Sequence, residues 1–284
     1  GKTLFAFATN AGAGARHRNV QLSRSTDGRT WTPPADAMPM TPAWAHAADA
    51  SIWAPEAMRF GDRYVLYFSA RHATRRRADG RTLCIGAAVA VRPEGPYVPQ
   101  PVPLTCGGTH GVIDASPFAD GDTRWLYYKT DGNCCGVDTV FMVQQLAADG
   151  LSLLGDGSAI AGMAADQPWE GRVIEAPQMH AEAGRYWLFY AANDYGGGDY
   201  AIGYAACDGP RGPCRDAAEN PLLRGGLRSG HVVGPGHQGL FRHDGGTWIA
   251  YHGWRGGGPG RPRYRALYVD RVDWTSGRPV VQPR

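Results

Sequence analysis

Lysine is almost absent from this chain: of 29 basic residues only Lys2 and Lys129 are lysines, so arginine carries the positive charge. The net charge of +3 is small and the arginines are scattered, so no nucleic-acid partner is expected. The one tight run, Arg75-Arg76-Arg77, reads as a solvated loop. No segment approaches the roughly 18 consecutive apolar residues of a membrane-crossing helix, and no membrane partner is expected. The opening residues do not read as a signal peptide, which leaves room for a leader removed ahead of Gly1. Cys-x-x-Cys spacing and Cys/His clusters are missing, which argues against structural zinc. Linker-like and low-complexity stretches are missing too, so residues 1–284 are expected to form a single domain and a monomer.

What is present is glycine and proline, 40 and 21 residues, in a chain that is 43% hydrophobic and long enough to bury a substantial core. Six cysteines suggest two local pairs: Cys207 and Cys214 bracket a Gly/Pro turn, and Cys84 and Cys106 flank a strand and its following loop. The adjacent Cys134 and Cys135 leave free thiols, other pairings and a strained vicinal bridge open. An even cysteine count with plausible local pairs favours an oxidising, extracellular setting.

An internal repeat of about sixty residues dominates the sequence. Aromatic strands open at Tyr64, Trp125, Tyr186 and Trp248, and counting back eleven from each lands on Trp53, Asp114, Glu175 and His237. A partial fifth copy begins at Leu4, where Leu4-Phe5-Ala6-Phe7-Ala8 resembles Trp187-Leu188-Phe189-Tyr190-Ala191. Ile85-Gly86 before Gly95-Pro96 recurs as Ile202-Gly203 before Gly212-Pro213. Ser25-Thr26-Asp27-Gly28 and Ala148-Asp149-Gly150 read as tight hairpin turns, the second of which breaks the best helix candidate, Met142 to Leu154, into two strands. Short strands rich in Tyr, Trp, Phe and Val, separated by Gly/Asp turns, predict an all-β five-bladed β-propeller of four-stranded antiparallel blades around a central channel.

If each repeat is one blade, Asp114 and Glu175 face a shared centre as a pair of carboxylates. Such a pair suits glycoside hydrolysis, in which one carboxyl protonates the departing oxygen while another group activates water. Glu175 lies between Val173-Ile174 and Ala176-Pro177, an apolar setting that is costly for an idle carboxylate.

The stretches Trp53-Ala54-Pro55-Glu56, Ile113-Asp114-Ala115-Ser116-Pro117, Ile174-Glu175-Ala176-Pro177 and Gly234-Pro235-Gly236-His237 resemble glycoside hydrolase family 43, inverting five-bladed propeller enzymes that remove arabinofuranose or xylose units. The resemblance runs through nearly the whole chain in order. It implies that Glu175 is the general acid and that Asp114 orients it and tunes its pKa. It further implies that Trp53 walls the sugar pocket, that His237 sits near the channel axis, and that Arg265 reaches the acid or the sugar. Arg263 and Arg271 are alternatives for that last role. No cofactor is required; the resemblance allows a structural, water-ligated calcium ion in the central channel near His237. The family's general base is an aspartate of the first blade, and counting back eleven from Leu4 passes beyond Gly1. Residues ahead of Gly1, a lost base, or Asp49 as a relocated one are the readings this leaves. His110, Asn133, Trp169 and Asn193 are candidates for touching sugar hydroxyls or for packing loops.

The expected function is thus an inverting glycosidase releasing α-L-arabinofuranosyl units from plant arabinan or arabinoxylan. Tyr128-Lys129-Thr130-Asp131-Gly132-Asn133 and the strand at Cys84 resemble arabinofuranosidase-like members more than xylosidases. The alternatives are a β-xylosidase and a carbohydrate-binding propeller that has lost its base, with a protein-interaction scaffold as a third.

Overall fold

The computed structural model describes residues 3–77, 80, 82–226, 232–256 and 263–282. Its strands form five sheets, the architecture of a five-bladed β-propeller, as the repeat predicts. Blade 1 holds β1 (Leu4–Ala8), β2 (Gln21–Ser25) and β3 (Ala35–Asp36). Blade 2 holds β4 (Trp53–Phe60), β5 (Arg63–Arg71), β6 (Leu83–Ala90) and β7 (Val98–Pro99). Blade 3 holds β8 (Val112–Asp120), β9 (Thr123–Thr130), β10 (Phe141–Leu146) and β11 (Leu153–Ala159). Blade 4 holds β12 (Ile174–Glu182), β13 (Arg185–Ala192), β14 (Ala201–Cys207) and β15 (Cys214–Asp216). Blade 5 holds β16 (Val233–His243), β17 (Gly246–Arg255), β18 (Tyr264–Asp273) and β19 (Val280–Gln282). Blade 1 departs from the four-stranded expectation, with three strands among the described residues. Its β1 meets β4 of the next blade.

The chain divides into two compact units, Gly1–Val137 with Met142–Ala159, and Asp138–Phe141 with Ile160–Arg284. In the first unit, β5 shows why its sequence is apolar throughout rather than alternating. Leu66, Phe68 and Ala70 join a core with Val20, Leu22 and Trp44, while Val65 and Tyr67 join a second core with Val112 and Leu126. A strand between two blades buries both faces, and each large side chain so buried contributes roughly 1.5–3 kcal/mol. Tyr67 also donates its hydroxyl to the carbonyl of Gly150, 2.8 Å away, in the turn between β10 and β11. A Cβ on Gly150 would stand 2.6 Å from the Phe60 ring, so this turn, expected from the Asp149-Gly150 pair, admits only glycine. In the second unit Trp187 and Phe189 of β13 pack with Tyr204 and Trp274, and Ile202, Ile249 and Tyr251 form a separate cluster with Tyr268.

Both local cysteine pairs form. Cys84 is bridged to Cys106, and Cys207 to Cys214 across facing positions of β14 and β15. Cys135 is disulfide-bonded as well.

Candidate active site

Each opening strand of blades 2 to 5 carries a β-bulge, where two residues face one on the neighbouring strand. The bulge begins at Ala54, Asp114, Ala176 and His237, and each of these has a positive φ, 48°, 61°, 53° and 50°. Left-handed backbone at non-glycine residues is uncommon, and recurrence at one place in four blades marks a built feature. This revises the eleven-residue register. Asp114 and His237 are bulge residues, whereas Trp53 and Glu175 are the residues just ahead of it, still paired in the ladder with Ser69 and Ala191.

In the first unit Asp114 is buried, and its backbone N–H donates to Ser69 Oγ of the preceding blade at 3.2 Å. Trp53 is half-buried directly opposite Ser69 on β4, so Trp53 and Asp114 come to one place through that serine. Beside them the fully buried Lys129, facing Ile113 across the ladder, donates to Asn133 Oδ1 at 2.7 Å. The arginine run is not a uniformly solvated loop. Arg75 and Arg76 are exposed, but the Arg77 side chain is only 4% exposed and pairs with the buried Asp131 at 2.7 Å, also donating to the His110 carbonyl. Asn133 and the His110 backbone are thus structural partners here. Asp49 is held in a surface ion pair with Arg71 at 3.0 Å.

In the second unit Glu175 is buried near the start of β12, and Tyr200 donates its hydroxyl to Glu175 Oε1 at 2.6 Å. The Tyr200 ring is itself 1% exposed and stacks on His252 at 5.7 Å between centroids. Gly236 makes room for it: a Cβ there would lie 1.8 Å from the ring. That explains the glycine in Gly234-Pro235-Gly236-His237, which faces His252 across β16 and β17. Burial pushes the His252 pKa down to about 3, with Arg265 and His237 adding to the depression and Glu175 opposing it. The imidazole is therefore neutral over the whole working range of a protein, and its Nε2 has no hydrogen-bond partner among the described residues. Glu175, His237 and Arg265 all act on His252, which gathers three sequence-predicted residues around one centre. Arg265 lies on β18 opposite Trp254, whereas Arg271 sits at the far end of the same strand opposite Trp248.

Trp169 and Asn193 are loop-packing residues. Asn193 donates to the Trp169 carbonyl at 3.0 Å, and Trp169 lies against Tyr190 with ring centroids 5.6 Å apart. Glu170, a second buried carboxylate of this unit, is occupied structurally, accepting from Tyr190 at 2.6 Å and from two backbone N–H groups. Burial raises its pKa, against those bonds.

Sequence reasoning passed over Tyr200, His252 and Trp254. His252 closes the aromatic phrase Trp248-Ile249-Ala250-Tyr251-His252, and Tyr200 follows the glycine-rich Gly196-Gly197-Gly198, so both had faint cues. A calcium ion prefers six to eight oxygen ligands. Among the described residues no three His, Cys, Asp or Glu side chains gather as a metal-holding group, so His237 offers one nitrogen and no protein-made cage. A buried carboxylate with one oxygen accepting from a tyrosine that stacks on a neutral imidazole can hold and deliver one proton.

Residues 3–279 match the family described as Glycosyl hydrolases family 43. A crystal structure of a thermostable family-43 glycoside hydrolase superimposes with a TM-score of 0.80 at 26% identity, covering 99% of this chain and 94% of that one. Xylosidase/arabinosidase 43A of Humicola insolens is 37% identical over 78 residues, 27% of this chain and 21% of that protein. The extracellular endo-alpha-(1->5)-L-arabinanase 2 of Bacillus subtilis (strain 168) is 28% identical over 201 residues, 63% of this chain and 39% of that protein. The matches thus span well under half the length of both curated relatives.

Proposed function

The chain belongs to glycosyl hydrolases family 43, and from that premise we propose that it is an inverting glycosidase releasing terminal α-L-arabinofuranosyl units from arabinan or arabinoxylan. The observation that carries this reading is the buried Glu175 with Oε1 held by the hydroxyl of Tyr200, whose ring stacks on His252, the histidine whose titration Glu175, His237 and Arg265 all influence. Relatives named as an arabinanase and as a xylosidase/arabinosidase support the substrate class. The extracellular relative and the disulfides support an extracellular setting.

The transferable proton is carried by the Glu175 carboxyl. That proton goes to the glycosidic oxygen as the bond to the anomeric carbon breaks. A second carboxylate on the opposite face takes a proton from water, whose oxygen forms the new bond with inversion. That base is not identified in the chain. Asp114 acts on the titration of the acid, Trp53 walls the sugar, and Arg265 reaches the sugar from blade 5. His237 lies beside the site without a step of its own.

Glu175→Gln in the intact protein should cut arabinose release about 10²- to 10⁴-fold while leaving the melting temperature unchanged. Near-normal turnover by that variant sinks the acid assignment. Asp114→Asn should lower the rate and move the basic limb of the pH profile to lower pH, since a nearby negative charge that favours the protonated acid is lost. Incubation with arabinan, arabinoxylan and xylo-oligosaccharides, followed by NMR of the fresh anomeric centre, reports substrate and stereochemistry together. Xylose released in place of arabinose would transfer the proposal to a β-xylosidase.

A further inference from the structure

Two arginines cluster at the exposed start of β18. Arg263 and Arg265 stand over the Trp254 ring at 4.3 and 4.8 Å, and Arg265 also lies 5.2 Å from the Tyr195 ring centre. Arg255, next to Trp254 on β17, points to the opposite face of the sheet and lies 5.6 Å over Tyr268. The platform is braced: Trp254 Nε1 donates to the Tyr195 carbonyl and Arg263 Nη1 to the Gly196 carbonyl, both at 3.1 Å. Arg242, Arg215 and Arg278 find carboxylates in Glu182, Asp208 and Glu219, and Arg59 and Arg124 donate to backbone carbonyls. Among the described residues neither Arg263 nor Arg265 pairs with a carboxylate. The nearby Asp194 spends an oxygen on the Gly196 N–H at 2.8 Å.

Like charges gathered in this way repel unless an anion joins them. Guanidinium groups laid flat on aromatic rings keep their N–H edges outward, in the forked geometry that suits a carboxylate. The platform also continues the candidate site. Trp254 is two residues along β17 from His252 and so on the same face, and His252 stacks on the tyrosine that bonds Glu175.

We propose that this rim binds a carboxylate carried by the glycan, so that the preferred substrate is a uronate-bearing arabinoxylan or arabinan segment rather than a neutral one. The proposal rests on the reading of Glu175 as the centre of the active site. The carboxylate could be glucuronate on a xylan or galacturonate adjoining an arabinan, and the test carries an arm for each.

Two acidic oligosaccharides, a glucuronosyl arabinoxylan fragment and a galacturonate-bearing arabinan fragment, are each compared with the same fragment after its carboxyl has been reduced to a primary alcohol. Affinity is measured by calorimetry on Glu175→Gln, which separates binding from turnover, and kcat/KM on the wild-type protein. At low salt at least one acidic fragment should bind about tenfold tighter than its reduced twin, and added sodium chloride should erode that ratio. Arg263→Gln should lower the acidic-to-reduced ratio, the charge-preserving Arg263→Lys should retain most of it, and Arg255→Gln, on the opposite face, should leave it unchanged. Equal affinity for both twins, or a preference indifferent to Arg263→Gln, overturns the proposal. Absence of hydrolysis with the acidic preference intact in calorimetry would instead overturn the glycosidase reading and leave the carboxylate site standing.

Discussion

The hydroxyl that Tyr200 gives to Glu175 favours the charged carboxylate, because a hydrogen bond to the ionised form stabilises it. Tyr200→Phe keeps the ring against His252 and removes only that bond. The basic limb of the kcat/KM profile should then move to higher pH; an unmoved limb would show that the bond does not govern the acid. His252 gives a second pH handle. Its depressed pKa means that the folded state refuses a proton the unfolded chain accepts, so wild-type stability falls as pH drops from about 6.5 toward about 3. His252→Phe preserves stacking but does not titrate, and should flatten the melting-temperature curve over that window; parallel curves for the two proteins would refute this. Glu175, His237 and Arg265 were singled out in the sequence because each sits in a short motif. Tyr200 was not, since its partner is 25 residues away and only the folded blade brings them together. Arg77 was misread for the same reason: nothing local distinguishes it from Arg75 and Arg76, and its partner Asp131 belongs to another blade.

The opening strand is the element that sets the site, through its bulge. Eleven residues back from the aromatic phrase found the right neighbourhood because the distance from bulge to hairpin turn is the same in blades 2 to 5. It erred by one between blades because the aromatic residue is not at the same ladder position in each. Tyr64 pairs with Arg59, second from the turn, whereas Trp125 pairs with Phe118, third from it. Counting from the turn removes the error. Strand β16 carries the further demand that position 236 be glycine. Gly236→Ala should cost about 1–3 kcal/mol or more through overpacking, and should displace Tyr200, so activity and denaturation midpoint fall together. A variant with unchanged midpoint and unchanged pH profile would show that the Tyr200 ring is not seated there.

Over the whole molecule the repeat number, strand content and local disulfides were readable, since turn glycines and aromatic strands recur in order. Each compact unit holds one of the two local bridges, with sequence separations of 22 and 7. On loop-closure entropy they contribute roughly 3 and roughly 2.5 kcal/mol. Gentle reduction should therefore lower the melting temperature by roughly 10 °C, with Cys84→Ala/Cys106→Ala losing somewhat more than Cys207→Ala/Cys214→Ala. A melting curve indifferent to reductant would mean that the bridges do not restrain the unfolded chain.

Glu175 is clamped within its own ladder, while the Asp114 amide leans on a hydroxyl supplied by the preceding blade. Ser69 is accordingly the residue through which blade 2 fixes the backbone of Asp114 at the bulge of blade 3.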